Sequence, residues 1–272
     1  MLYVVATPIG NLADMSPRGV ETLRSVSVIA CEDTRRTGKL LQHFGISTPL
    51  LSYHEHNEEE RTPQLLDRLG SGEDVALVSD AGTPLLSDPG YRLVRACREA
   101  DIAVVPVPGP FAAAAAASVS GLPTDRLLFA GFPPARAGKR RQWWKELAAV
   151  SATVVCYLSP HRLHAELREA LAAFGPREAF LARELTKLHE ECWFGRLPDL
   201  VERVAEQPPR GEYTLVLAPA AGTAPSCIDV RAYCRGLREL YGLSPAQAAA
   251  RAAAELGLSR REVYRLAQQD ES

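Results

Sequence analysis

The chain has 272 residues, 46% of them hydrophobic, and a formal net charge of -2, enough for one large or two small folded domains with a real core. A balance so close to neutral sets up no global field toward nucleic acid or membrane, so any basic site must be local. The six cysteines, at 31, 97, 156, 192, 227 and 234, show no CxxC and no regular spacing, which argues against a zinc ribbon or a disulfide framework and for a reducing, cytoplasmic setting.

In chain order, "MLYVVATPIG" has no basic leader and reads as a first strand over 2–6. Apolar runs at 26–31, 49–53, 75–79 and 102–107 then alternate with helical patterns over 17–24, 35–44, 58–69 and 91–100. Strand and helix in alternation predict a mostly parallel sheet covered on both faces. Pro63 is placed near a first helical turn, and Pro106, Pro108 and Pro110 break the apolar stretch 102–122 before it reaches the length of a membrane span.

Beyond Leu122 the rhythm changes. Strands are expected at 126–132, 153–159, 179–186, 191–197 and 212–219, with helices near 136–149, 160–174 and 198–206. The short connection around Lys187 reads as a hairpin, so the second sheet is mixed or antiparallel. The segments "DVRAYCRGLRELYG", "SPAQAAARAAAELG" and "SRREVYRLAQQ" then read as three short helices, two of them capped by Ser244 and Ser259. The expected division is an α/β domain over 1–117, a second α/β domain with a mixed sheet over 118–225, and a helix-turn-helix-like unit over 226–272.

The loops after the first five strands carry the chemistry. In open α/β sheets ligands bind beyond the carboxyl ends of the strands, and there the chain places "ATPIGNL", "CEDTRRT", "YHEHN", "SDAGTPLLSDPG" and "PVPGPFAAAAAAS". Gly82 and Gly109 open the main chain to close approach, Pro84, Pro108 and Pro110 stiffen it, and Ala112 to Ala117 form a thin helix against which a planar group can lie. Neither GxGxxG nor GxxxxGK[ST] occurs, which speaks against a standard dinucleotide or triphosphate site.

Taken together, "TPIGNLADMSPRG", "EDTRRTGKLLQHFGI", "HEHNE", "LVSDAGTPLLSDPG", "VVPVPGPFAA", "GLPTDRLLFAGFPP", "LARELTK" and "RGEYTLVL" closely resemble the small-subunit ribosomal RNA ribose 2′-O-methyltransferases of the tetrapyrrole methylase fold. The resemblance covers nearly the whole chain. It implies an S-adenosyl-L-methionine-dependent enzyme acting on a cytidine ribose in the decoding region of 16S rRNA within the small ribosomal subunit, with a two-domain body and a homodimer. Carried across, it implies a cofactor site of Pro8, Ser79, Asp80, Ala81, Gly82, Thr83, Pro108, Gly109, Pro110, Leu185 and Gly211. One departure stands out. Where relatives carry "YES" before "HRL", this chain reads "CYLSPHRL", so that segment is left out of catalysis.

Methyl transfer to a ribose hydroxyl calls for a base or a cation beside the developing alkoxide. Asp33, Glu32 and Lys187 are the catalytic candidates, with His54 and Glu212 also in reach of the role. Glu32 or Asp33 has a simpler reading as the cap of the next helix, and Arg35 and His54 are candidate substrate contacts. "KRRQWWKEL" supplies Arg140 and Arg141 beside Trp143 and Trp144, either an RNA-binding face or an amphipathic helix burying one Trp. Arg260, Arg261 and Arg265 of the last helix are placed toward phosphates, the rival being a lid or dimer contact. His54 and His56 lack a third metal ligand, and Cys31 reads as a buried strand residue. The rival functions are a small-molecule methylase on the same fold and a non-catalytic RNA-binding assembly factor.

Overall fold

The computed structural model describes residues 1–206, 208–219, 230–256 and 258–268. Its first sheet contains β1 (Leu2–Val5), β2 (Val28–Cys31), β3 (Leu50–Ser52), β4 (Val75–Val78) and β5 (Val104–Val107). The strands lie in the order β3-β2-β4-β1-β5, and every pairing is parallel. The connecting helices are α1 (Pro17–Ser25), α2 (Thr34–His43), α3 (Glu58–Gly70) and α4 (Tyr91–Glu99), with α5 (Ala112–Val119) following β5.

Period-two alternation assigns each side chain to a face. Val28, Ala30, Val75 and Leu77 pack with Leu65 and Leu69 of α3 and Leu93 and Cys97 of α4. Ile29, Cys31, Ala76 and Val78 point the other way, to Leu23 of α1 and Leu41 of α2. All four residues of β2 and of β4 are therefore buried, as a sheet covered on both faces requires. Pro106 is tolerated because β5 is an edge strand. Pro63 differs from its expected place: it sits inside α3, beyond the first turn, where a missing N–H costs a helical hydrogen bond.

The second sheet, β6 (Leu127–Phe129), β7 (Thr153–Leu158), β8 (Glu178–Arg183), β9 (Glu191–Arg196) and β10 (Tyr213–Leu217), has the order β6-β7-β10-β8-β9. It is mixed, with β6 parallel to β7 and the other pairs antiparallel. One face packs on α6 (Ala137–Ala148), α7 (Leu163–Phe174) and α8 (Leu197–Ala205). Val155, Phe180, Ala182 and Val216 on the other face receive Ala113, Ala116 and Ala117 of α5. The alanine run thus lets one helix lie close to the second sheet.

Both sheets belong to one compact unit, whose residues are 1–148 and 152–219. The other unit contains α9 (Val230–Tyr241), α10 (Pro245–Leu256) and α11 (Arg260–Gln268). Its core is Cys234, Leu237, Val263 and four alanines of α10. Ser244 and Ser259 accept from Gln247 N and Glu262 N, capping α10 and α11. Among the described residues five cysteines are unpaired, and no helix is long and apolar enough to cross a membrane.

Helix α6 corrects one expectation. Arg140 is only 5% exposed, and its guanidinium is held by Glu169 at 2.6 and 3.1 Å and by the Ala135 carbonyl at 2.9 Å. A buried guanidinium with its donors satisfied is a structural ion pair with nothing left for phosphate. Trp144 is fully buried against Phe174, and Arg141 stays exposed, so the helix buries its Trp as an amphipathic element does. Trp144→Ala should lower the unfolding free energy by about 3–5 kcal/mol, and Arg141→Ala by less than about 0.5 kcal/mol; urea denaturation measures both.

Candidate cofactor and substrate site

Beyond the carboxyl end of β4 the chain leaves the sheet through a tethered turn. Thr7 N donates to the Gly82 carbonyl at 2.8 Å and Gly82 N to the Thr7 carbonyl at 3.0 Å. Thr7 Oγ1 donates to the Ser79 carbonyl at 3.1 Å, and Thr83 Oγ1 to the Pro110 carbonyl at 3.0 Å. Gly82 has φ +88°, with Ile9 and the Pro110 carbonyl 3.4 and 3.7 Å from where a Cβ would stand. Leu85 and Ser87 are also left-handed, at 73° and 74°. Strain of this kind persists only where surrounding contacts over-determine it.

A cavity of ≈ 430 Å³ opens beside this loop, within the size range of small-molecule sites. Asp80, Ala81, Gly82 and Thr83 form one wall and Glu32 and Arg36 extend it. Tyr157, Leu158 and Ser159 of β7 and its following turn face them, with Leu185, Gly211 and Glu212. A smaller hollow of ≈ 290 Å³ shares Ile9, Arg36, Asp80, Ala81 and Glu212 and adds Pro8, Ser79, Lys39 and Lys187.

The structure therefore brings together eight of the eleven expected cofactor residues, Pro8 and Ser79 on the smaller hollow. Pro108, Gly109 and Pro110 line neither. Their work is local. A Cβ on Gly109 would meet that of Ala6 at 3.0 Å, and Pro110 offers its carbonyl to Thr83.

Among the catalytic candidates, Glu32 and Lys187 reach the hollows and Asp33 does not. Asp33 caps α2, accepting from Arg35 N at 2.8 Å and from the Arg35 guanidinium at 2.9 and 3.2 Å. Those bonds hold its carboxyl down at about 2, which makes it a poor proton acceptor. Arg35 is 88% exposed, open to solvent but outside both hollows. Glu32 goes the other way: burial, then Asp80 and Glu55, raise its pKa. Asp80 receives Asp33 N at 3.0 Å and Arg36 at 3.2 Å.

Lys187 sits in the β8–β9 hairpin, braced by Glu184 at 2.9 Å and Glu212 at 3.1 Å. Burial opposes its charge, but hydrogen bonds to both carboxylates outweigh that and raise its pKa, so it is an ammonium and no base. The hairpin is tightly docked. Glu184 and Thr186 have φ of 53° and 65°, and Thr186 Oγ1 accepts from Asn11 N at 3.1 Å. A Cβ on Gly10 would stand 2.4 Å from Lys187 Cγ.

His54 and His56 pack on one another, ring centroids 5.9 Å apart, away from either hollow. No cluster of metal-ligating side chains occurs among the described residues. Burial first of all pushes the Cys31 thiol up to about 11, so it is inert. Arg260 and Arg261 are exposed at the start of α11, in the other unit.

Sequence reasoning missed Asp88, Phe132 and the β7 turn. Asp88 lines the larger cavity; burial, against a Ser79 hydrogen bond and with Glu32 and Asp80 nearby, raises its carboxyl from 3.8 to about 6. Two Asp within one Gly/Pro loop were the available signal. The segment set aside for lacking a carboxylate forms a wall, and its Tyr157 phenol is pushed by burial up to about 12.

Residues 1–201 match the family model described as Tetrapyrrole (Corrin/Porphyrin) Methylases. A protein of Synechocystis named "Ribosomal RNA small subunit methyltransferase I" is 48% identical over 269 residues, 98% of this chain and 96% of that one. One of the same name from Escherichia coli O157:H7 is 45% identical, covering 98% and 94%. The crystal structure of uroporphyrin-III-C-methyltransferase from Thermus thermophilus shares the fold at a TM-score of 0.57 and 22% identity, covering 81% of this chain and 95% of that one. The chain belongs to the tetrapyrrole methylase family, and within it to the group of enzymes named small subunit ribosomal RNA methyltransferase I.

Asp88 gives a test by pH. A carboxyl whose native pKa lies above its unfolded value contributes stability in its protonated form, which is lost as pH rises through the native pKa. Asp88→Asn, neutral throughout, should melt higher than wild type at about pH 8 and the same at about pH 4, the gap opening between about pH 4 and pH 6. Thermal melts across that range measure it, and a gap unchanged with pH would count against a buried acidic Asp88.

Proposed function

We propose that the chain transfers the methyl group of S-adenosyl-L-methionine to the 2′-hydroxyl of a cytidine ribose in the decoding region of 16S rRNA. The observation that carries this reading is a side-chain-poor loop, Ser79 to Thr83, opening onto a ≈ 430 Å³ cavity whose wall also holds Glu32, Asp80 and Asp88. The names of its relatives supply the rRNA, and the sequence resemblance the ribose position.

The residues present fit the cofactor. Asp80, Ala81, Gly82, Thr83, Leu185 and Gly211 would hold it, main-chain groups reading its polar ends while carboxylates face a cationic sulfonium. When bound, it supplies an electrophilic methyl group. The smaller hollow, with Lys187, Lys39 and Arg36, takes the ribose and its phosphate. Lys187, kept charged by Glu184 and Glu212, stabilises negative charge on the ribose oxygen. Glu32, its pKa raised by burial, stands on the larger cavity and accepts the hydroxyl proton where the two hollows join at Arg36 and Asp80. Asp33 holds Arg35 and the start of α2, while Arg35, Arg141, Arg260 and Arg261, all exposed, meet rRNA phosphates. His54 orients the loop beside Glu32. The enzyme works in the cytoplasm as a homodimer on the small ribosomal subunit, and sedimentation tests the dimer.

Gly82→Val puts a branched side chain on a left-handed residue 3.4 Å from Ile9. It should abolish S-adenosyl-L-methionine binding in calorimetry while circular dichroism stays native; unchanged affinity would remove the cofactor from this loop. Transfer of tritiated methyl to 30S particles lacking the modification, and none to tetrapyrrole precursors, separates this reading from a small-molecule methylase. Lys187→Met should lower kcat by about 10²–10³ with cofactor affinity retained.

A further inference from the structure

The C-terminal helical unit carries its own hollow. Arg231, Arg235 and Arg238 recur at four- and three-residue spacing, which places them on one face of α9. That face borders a hollow of ≈ 470 Å³ whose far side is Tyr264 of α11. It exists because its lining includes the small side chains Cys234, Ala249 and Ala267, where bulkier residues would have filled the space between helices.

The helices of this unit carry a local excess of cations: over 230–268 seven arginines stand against three glutamates, with Asp229, Asp270 and Glu271 just outside that span. Glu255 is already engaged, by Arg251 at 2.8 Å and by the Tyr233 hydroxyl at 2.6 Å. Among the described residues no acidic side chain lines the hollow. Among the described residues Arg235 and Arg238 are exposed and have no ion-pair partner. Tyr264 beside them is 42% exposed, an aromatic surface left uncovered. Cations alone would suit any polyanion. Cations flanking an open aromatic ring in a hollow of nucleotide size suit a strand whose phosphates and unstacked bases are both presented.

We propose that this hollow binds single-stranded RNA, with Arg235 and Arg238 on successive phosphates and Tyr264 stacked on a base. The site differs from the α11 arginines at 260 and 261, and it rests on the reading of the enzyme as an RNA methyltransferase. It gives the unit a role in capturing the substrate strand, separate from the chemistry of the methyl-transfer site.

The test uses the full chain and a fluorescein-labelled single-stranded RNA oligonucleotide, with anisotropy titrations at several salt concentrations. Arg235→Gln with Arg238→Gln removes both charges while keeping helix propensity. This pair should weaken binding about tenfold or more and flatten the dependence of log K on log salt by about 1.4, two phosphates' worth for a single strand. Restoring charge with Lys at both positions should restore the slope. Tyr264→Leu should weaken binding about tenfold with the slope unchanged. S-adenosyl-L-methionine affinity should stay at the wild-type value in every variant. The proposal is overturned if the Gln pair binds RNA with wild-type affinity and slope, or if polyglutamate displaces the labelled strand as well as unlabelled RNA does. Failure of the wild type to bind S-adenosyl-L-methionine would overturn the proposed activity instead, leaving the RNA titration to decide the hollow.

Discussion

The reciprocal main-chain hydrogen bonds between Thr7 and Gly82 set the position of almost everything near the cavity. They join the loops that follow two adjacent strands, β1 and β4, just where each leaves the sheet. Thr7 adds its hydroxyl to the Ser79 carbonyl, and the Pro110 carbonyl receives Thr83. Three loops are thereby tied into one rim. Only with the rim fixed do the peptide groups of 80–83 become a surface of definite shape, and only a residue without a Cβ suits φ +88° at its centre.

Both lobes bring charge to the two hollows, the first adding Arg36 and Lys39 to its carboxylates and the second pairing Lys187 with Glu212. The first lobe contributes Glu32, Asp80 and Asp88; beside burial, Asp80 raises the cost of ionising Glu32, and Glu32 and Asp80 raise that of Asp88. The second contributes Lys187, whose charge two carboxylates secure. Such an arrangement accommodates a cation at one end and a developing anion at the other, with little reorganisation between them.

The first sheet was legible because its signals are local. Short apolar runs and helical patterns repeat within some twenty residues, and the structure keeps every one, shortening β2 and β5 by two residues at their starts and β1 and β4 by one at the rim. Lys187 and the hairpin around it were visible for the same reason. What escaped depended on distant partners. Nothing near Arg140 announces Glu169, twenty-nine residues on, which takes its charge. Asp88 looks like a turn residue until burial beside Ser79 gives it an unusual proton affinity. Tyr157 lies in the segment left out of catalysis for want of a carboxylate, and only the fold shows it reaching the cavity from the sheet face that α5 covers. Pro108 to Pro110 line neither hollow, and the Pro110 carbonyl ties their loop to the rim through Thr83.

Helix α5 follows the last strand of the first sheet, yet Ala113, Ala116 and Ala117 are buried against Val155, Phe180 and Val216 of the second. It acts as a rivet, covalently part of one lobe and hydrophobically part of the other. Severing the chain after it would leave the first lobe with a sticky apolar helix and the second with an uncovered sheet face, so neither half is a self-sufficient folding module. Parting the two walls would uncover those alanines.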